Sequence, residues 1–403
     1  MPCERAGIGR ISGSIGQIAM SDDDQRAPRA LSRRARAWIL AGLAIALGAS
    51  FPYLSRMMNA NERPRVLQAI AWVDTGELAI DGPGARGVPA GIDVARSPVD
   101  GRLYPNKPPG ATVAGALGYA LVRANASVRG RDPTLREATW AMRMVGGLLP
   151  TLLLCGFLLR RGRAAAPAVI FVALGTPLVA YARLLFGHAL AGALLAVGIV
   201  LVVEALRDGT ESSARKAFFG GLVAASAMVV EYGAAFGGLA LAVWVALRMR
   251  DREARPTGLA AIAGAAVPIA FLLSYHDAIF GSPWSTPYHH VVDAKFEAIH
   301  ARGLLGLGLP TGTSLYEHLL SPWGGLLYWA PLCAVVLVAA FASWRSLSPL
   351  ARIATASFAI LLVFNLGLQQ TGGWRVGPRY LVVGMSGSGS AASRPRRAPC
   401  SKR

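Results

Sequence analysis

The chain alternates long apolar runs with short polar breaks, and the runs have the lengths of membrane-crossing helices. The pattern predicts spans at residues 37–53, 144–159, 164–182, 189–203, 259–273, 328–341 and 353–368. The apolar stretch 218–247 is interrupted at its middle by Glu231-Tyr232-Gly233 and has basic residues at both ends. It predicts a hairpin of two short spans with Glu231 at the tip; one long tilted helix with a buried Glu is the alternative. A further apolar run opens at Leu381 and stops after Met385. The expected fold is all-α, a polytopic transmembrane helical bundle of about 8–10 spans.

The longest polar segment follows the first run. Residues 55–137 form a large first loop, predicted on the outer face because Arg33, Arg34 and Arg36 precede the first span and hold the N-terminus in the cytoplasm. Within this loop, residues 65–75 predict an amphipathic helix, with Pro64 in its first turn and Gly76 at its end. Residues 111–122 predict a second apolar helix, too short to span, lying at the interface. Residues 1–36 are polar and Arg- and Ser-rich, a disordered cytoplasmic segment with Met20 as a possible start. Residues 37–385 make one transmembrane domain. Residues 386–403 are a low-complexity basic tail, expected from a frameshift or truncation because the preceding run is too short to cross.

Composition sharpens this picture. Of 403 residues, 53% are hydrophobic and 16% charged, and the mean hydropathy is +0.43. An ordinary soluble domain is more polar. The net charge of +19 does not point to nucleic acid, because only four of the 41 basic residues are Lys and much of the Arg sits in short loops, where it sets topology. A lipid bilayer, and a phosphate on a lipid carrier, are the natural partners. Cys3, Cys155, Cys333 and Cys400 have no paired spacing, so no disulfide framework or zinc motif is implied.

Candidate chemistry gathers on the outer side. Glu62 stands just after the first span, where apolar neighbours suit a carboxylate to general-base work; the alternative is a helix N-terminal Glu facing the dipole. Asp93 and Asp100 are weaker candidates in a Gly/Pro-rich loop, where Asp commonly serves turns. Lys107, in Asn106-Lys107-Pro108-Pro109-Gly110, is a rigidly placed cation suited to phosphate, or else a snorkelling interfacial lysine. Arg375 and Arg379 flank Gly377-Pro378 as a second phosphate clamp, or as interfacial anchors beside Trp374 and Tyr380. His188 at a helix start and Glu231 at the hairpin tip are ionisable groups within apolar runs, functional by default. His289-His290 is an adjacent pair that seldom chelates one ion alone, so no metal site is assigned and a divalent ion is left open.

The order of these features resembles the GT-C superfamily of membrane glycosyltransferases, among them the protein O-mannosyltransferases and the lipid A aminoarabinose transferases. The likeness runs through Glu62, the helix ending at Thr75-Gly76, Tyr104-x-x-Lys107-Pro108-Pro109-Gly110, residues 183–188, Glu231-Tyr232-Gly233, Phe280-Gly281-Ser282-Pro283 and Gly377-Pro378-Arg379-Tyr380. Asn61 stands before Glu62, where relatives often carry an Asp-Glu pair. The resemblance implies a polyprenyl-phosphate-linked sugar donor and transfer of the sugar to a glycan, lipid or protein acceptor on the periplasmic or outer face of a bacterial inner membrane. It implies Glu62 as base, with Asp93 a second catalytic candidate. It implies donor and phosphate binding by Arg65, Tyr104, Lys107, His188, Glu231, Tyr232, Arg375 and Arg379. A flippase or transporter of lipid-linked substrates, and an inactive truncated membrane protein, are the competing expectations.

Overall fold

A computed structural model describes residues 31–49, 59–82, 87–162, 165–208, 212–300, 306–369 and 375–388. The start of the chain, Trp374 and the tail beyond residue 388 lie outside the described residues, as does the far end of the predicted first span. The fold is an all-α bundle. Among the described residues, five helices are long and apolar enough to cross a membrane: Leu135–Leu159, His188–Arg207, Ser213–Val230, Arg255–Phe280 and Pro349–Gly367. Ala234–Arg248 and Pro331–Ala342 are shorter apolar helices, and Arg33–Ala49 adds a 17-residue helix. The expected all-α bundle is thus present, and among the described residues its apolar helices are these five long ones and several shorter ones.

The helix starting at His188 is the axis of the bundle. Its Leu195, Ile199 and Val203 sit in the main core with Val230, Leu241 and Leu361. The late apolar run belongs to this core as well. Leu381, Val382 and Met385 have no exposed surface, and the short helix Val382–Ser388 packs between His188–Asp208 and Pro349–Gly367. Its burial holds the preceding Arg379 and Tyr380 in place.

Close packing rests on small residues. A methyl group on Gly221 would collide with the carbonyl oxygen of Ala261, and one on Gly264 with that of Phe218. Helices Ser212–Val230 and Arg255–Phe280 thus meet backbone to backbone, the contact that glycine permits where lipid provides no hydrophobic drive between helices. The predicted hairpin is present: the first helix ends at Val230, the next begins at Ala234, and Glu231-Tyr232-Gly233 forms the break.

Several predicted elements need correction. Residues 164–182 do not form one span. The helix Ala166–Leu174 stops at Gly175, and Pro177 opens a separate turn, Leu178–Tyr181. Pro177 has no N–H to continue the ladder, and the Thr176 hydroxyl donates back to the Val172 carbonyl at 2.8 Å. The second loop helix is longer than predicted, Gly110–Val128. The second span begins nine residues early, at Leu135, where Thr134 and Glu137 close a capping box. A π-turn at Met144–Leu148 then interrupts it, around Gly146-Gly147.

The first loop also contains a hairpin that periodicity does not reveal. Strands Val94–Arg96 and Leu103–Pro105 pair antiparallel, with Val94 opposite Pro105 and Ala95 opposite Tyr104. One step beyond the last pair, the Asn106 N–H donates to the Asp93 carbonyl at 3.1 Å. The register therefore sets Asp93 beside Asn106 and Lys107. On its other edge the hairpin binds the 287–292 segment, where the Val292 N–H donates to the Val94 carbonyl at 3.1 Å.

Substituting Gly221→Ala or Gly264→Ala should lower the melting temperature of the detergent-solubilised protein, by a destabilisation of about 1–3 kcal/mol from overpacking. Gly238→Ala, at a helical glycine with nothing within 4 Å of the added methyl, should be neutral or stabilising.

Candidate functional site

A cavity of about 780 Å³ opens at one end of the bundle. Its walls come from the first loop, the hairpin tip at Glu231-Tyr232-Gly233, residues 286–300 and 306–307, the end of helix Pro349–Gly367, and Arg379-Tyr380. Its lining combines apolar residues, Phe236, Phe296, Ile299, Leu307, Phe364 and Leu368, with polar ones, Asp93, Asn106, Lys107, Arg379 and Tyr380.

Helix Glu62–Thr75 contributes Glu62 to this lining, and two buried ion pairs hold the helix there. Glu62 receives both arms of Arg143, Nε to Oε1 at 2.9 Å and Nη2 to Oε2 at 2.8 Å. The Leu185 N–H donates to Glu62 Oε1 at 2.7 Å. Glu62 and Arg143 are essentially fully buried. One turn along, Arg65 Nη2 donates to Glu231 Oε1 at 2.7 Å, and Nη1 to the Asn61 side chain. Gly187 makes the second pair possible. Its φ is +93°, and a methyl there would lie 2.8 Å from Glu231 Oε1.

Glu62, the carboxylate expected to act as base, therefore has both oxygens committed to donors. The available carboxylate is Asp93. Burial raises its pKa, but Lys107, Arg379, Arg65 and a hydrogen bond from Asn106 outweigh burial and hold the carboxyl below its ordinary value. Asp100, its companion in the sequence argument, does serve the turn. It accepts from the Arg102 N–H at 3.0 Å and the Tyr104 hydroxyl at 2.6 Å.

The remaining candidates divide. Lys107 lines the cavity, with Nζ 5.2 Å from the centre of the Tyr288 ring. Pro108-Pro109 stiffens the chain behind it. Gly110 lets that chain lie against the hairpin, since a methyl there would stand 2.8 Å from the Val229 carbonyl oxygen. Arg379 also lines the cavity, donates to the Tyr380 hydroxyl at 2.7 Å, and leaves a buried Nε without a partner. Tyr232 also lines the cavity. His188 is buried behind it, 3.8 Å from Glu231 and edge-on to the Tyr380 ring.

Two candidates lie elsewhere. Tyr104 is turned away onto Phe280, and its hydroxyl is pushed up by burial and by Asp100. Arg375 packs over Gly324 and reaches Glu317, so the expected second clamp reduces to Arg379. His289 bonds to Thr286, and His290 to Ser285 while stacking on Phe280. Among the described residues no group of three or more His, Cys, Asp or Glu gathers as a metal site.

Sequence reasoning misses Arg143, Tyr288 and His276. The signal for Arg143 is the capping box at Thr134 and Glu137, which starts the helix early enough to carry Arg143 within it. Breaking the Glu62–Arg143 pair from either side, with Glu62→Gln or Arg143→Met, should cost about 3–5 kcal/mol by stranding a buried charge. Joining the two substitutions should restore most of that loss, measured as the melting temperature of the purified protein. No family model matches this sequence, and neither a curated protein nor a solved structure shows significant similarity to it.

Proposed function

We propose that the protein is an integral membrane glycosyltransferase that takes a sugar from a polyprenyl-phosphate donor. The observation that carries this reading is the charge balance of the cavity. Among the described residues lining the cavity, Glu62 is matched by Arg143 and Glu231 by Arg65, which leaves one carboxylate, Asp93, facing two cations, Lys107 and Arg379. Among the described residues the lining thus holds one surplus positive charge, partly shielded from water and beside apolar groups. A charge so placed is stabilised by one anion. A sugar–phosphate–lipid diester carries one negative charge and an apolar tail.

Each part has a role in the reaction. Lys107 and Arg379 hold the phosphate and stabilise the charge that develops on it as the bond to the sugar breaks. Asp93, kept ionised by the same cations, takes the proton of the acceptor hydroxyl as its oxygen bonds to the sugar. The apolar lining residues receive the first isoprene units. Glu62 positions the loop. The end of the bundle away from the cavity carries Arg160, Arg161, Arg207, Arg215, Arg248 and Arg252, which supports a cytoplasmic face there and a cavity facing outward.

With the full chain in lipid nanodiscs and an undecaprenyl-phosphate sugar as donor, Asp93→Asn should lower transfer by about 10²–10⁴-fold with little effect on donor binding. Lys107→Ala and Arg379→Ala should each weaken binding of undecaprenyl phosphate by tenfold or more. Full binding in both variants overturns the phosphate assignment. Because the folded pKa of Asp93 is depressed, its ionised form and the stability it brings persist above the ordinary carboxylate value. They are lost only as pH falls below about 4. The rate should therefore show no acid limb from Asp93 between about pH 5 and 8.

A further inference from the structure

The reading above leaves one polar pair at the cavity unused. His276, in the last turns of helix Arg255–Phe280, is buried, and its Nδ1 lies 3.2 Å from the carbonyl oxygen of Pro283. A carbonyl has no proton to give, so this bond places the ring proton on Nδ1 and leaves Nε2 with a lone pair. The Tyr232 hydroxyl stands 2.7 Å from that Nε2. It must therefore donate to the imidazole, and its single proton is committed. Tyr232 lines the cavity, and any polar contact its oxygen makes there is as an acceptor.

The surroundings say what that oxygen meets. The Tyr232 and Tyr288 rings lie 5.7 Å apart, and Lys107 Nζ stands 5.2 Å above Tyr288. His300 stacks on Tyr288 at 4.5 Å and fixes the plane of its ring. A fixed hydrogen-bond acceptor thus lies one aromatic ring away from a phosphate-binding cation. A hydroxyl-bearing group joined to the phosphate fits this arrangement.

We infer that Tyr232 is a specificity-determining residue: with its polarity set by His276, it accepts a hydrogen bond from a hydroxyl of the sugar. The inference rests on the lipid-linked donor reading. An O–H or N–H at that place is bound; an ether or carbonyl brings lone pair against lone pair and is refused.

The test measures binding to the full chain in nanodiscs. The probes are undecaprenyl phosphate and its glucosyl, mannosyl and arabinosyl diesters. Wild type should bind at least one diester more tightly than the bare phosphate. Tyr232→Phe should weaken that diester about tenfold and leave the bare phosphate unchanged, the size expected for one hydrogen bond. Melting temperatures should confirm that Tyr232→Phe folds. If Tyr232→Phe weakens both probes equally, or neither, the inference is overturned. No diester preference in wild type overturns it too, with the phosphate reading intact. If wild type binds neither diester nor bare phosphate, the donor reading itself falls, and the inference with it.

Discussion

Two carboxylate–guanidinium pairs tie helix Glu62–Thr75 to the bundle, and the polar lining of the cavity is built outward from them. Glu62 reaches Arg143 on one long helix, and Arg65 reaches Glu231 at the break between two others. Such pairs give little net stability, because stripping water from four charges costs about what their attraction returns. What they give is uniqueness of position. Any shift of the helix along the bundle would strand a charge in an apolar setting, so the loop has one seat. The hairpin, Asp93 and Lys107 inherit that seat.

The pairs also decide which charges remain for chemistry. Of the carboxylates lining the cavity among the described residues, two are spent on structure, and only Asp93 faces cations that other acids do not claim. The backbone fixes those cations in different ways. Lys107 is held by two prolines and a glycine against the hairpin tip, and Arg379 by a helix whose other side has no exposed surface. Neither anchor depends on a ligand.

The sequence makes the apolar scaffold legible because run length and charge placement act over many residues at once. The hairpin tip at Glu231 and the cap at Gly76 follow from local chemistry, and both are present. The break at Gly175-Thr176-Pro177 is also local, but the apolar residues around it mask it when hydropathy alone is counted. Glu62 is easy to single out, whereas its role is not, since its partner lies 81 residues away and the π-turn that follows Arg143 has no simple signature. Asp93 looks like a turn residue because three-residue strands are too short to show alternation. Its importance comes from the register of the hairpin, which is a tertiary fact.

That register has a consequence for how the loop can change. Asp93 and Asn106 meet because they sit one step past the final strand pair, at the open end of the ladder. The closed end, residues 97–102, is a separate turn at the far side. Lengthening or trimming that turn leaves the open end where it is, provided the strands keep their pairing. A single residue inserted within either strand reverses the parity of everything beyond it and turns one member of the pair to the opposite face. The spacing between acid and cation is thus insulated from loop length and sensitive to strand length, so the variable part of this loop and its constrained part are separated by only a few residues.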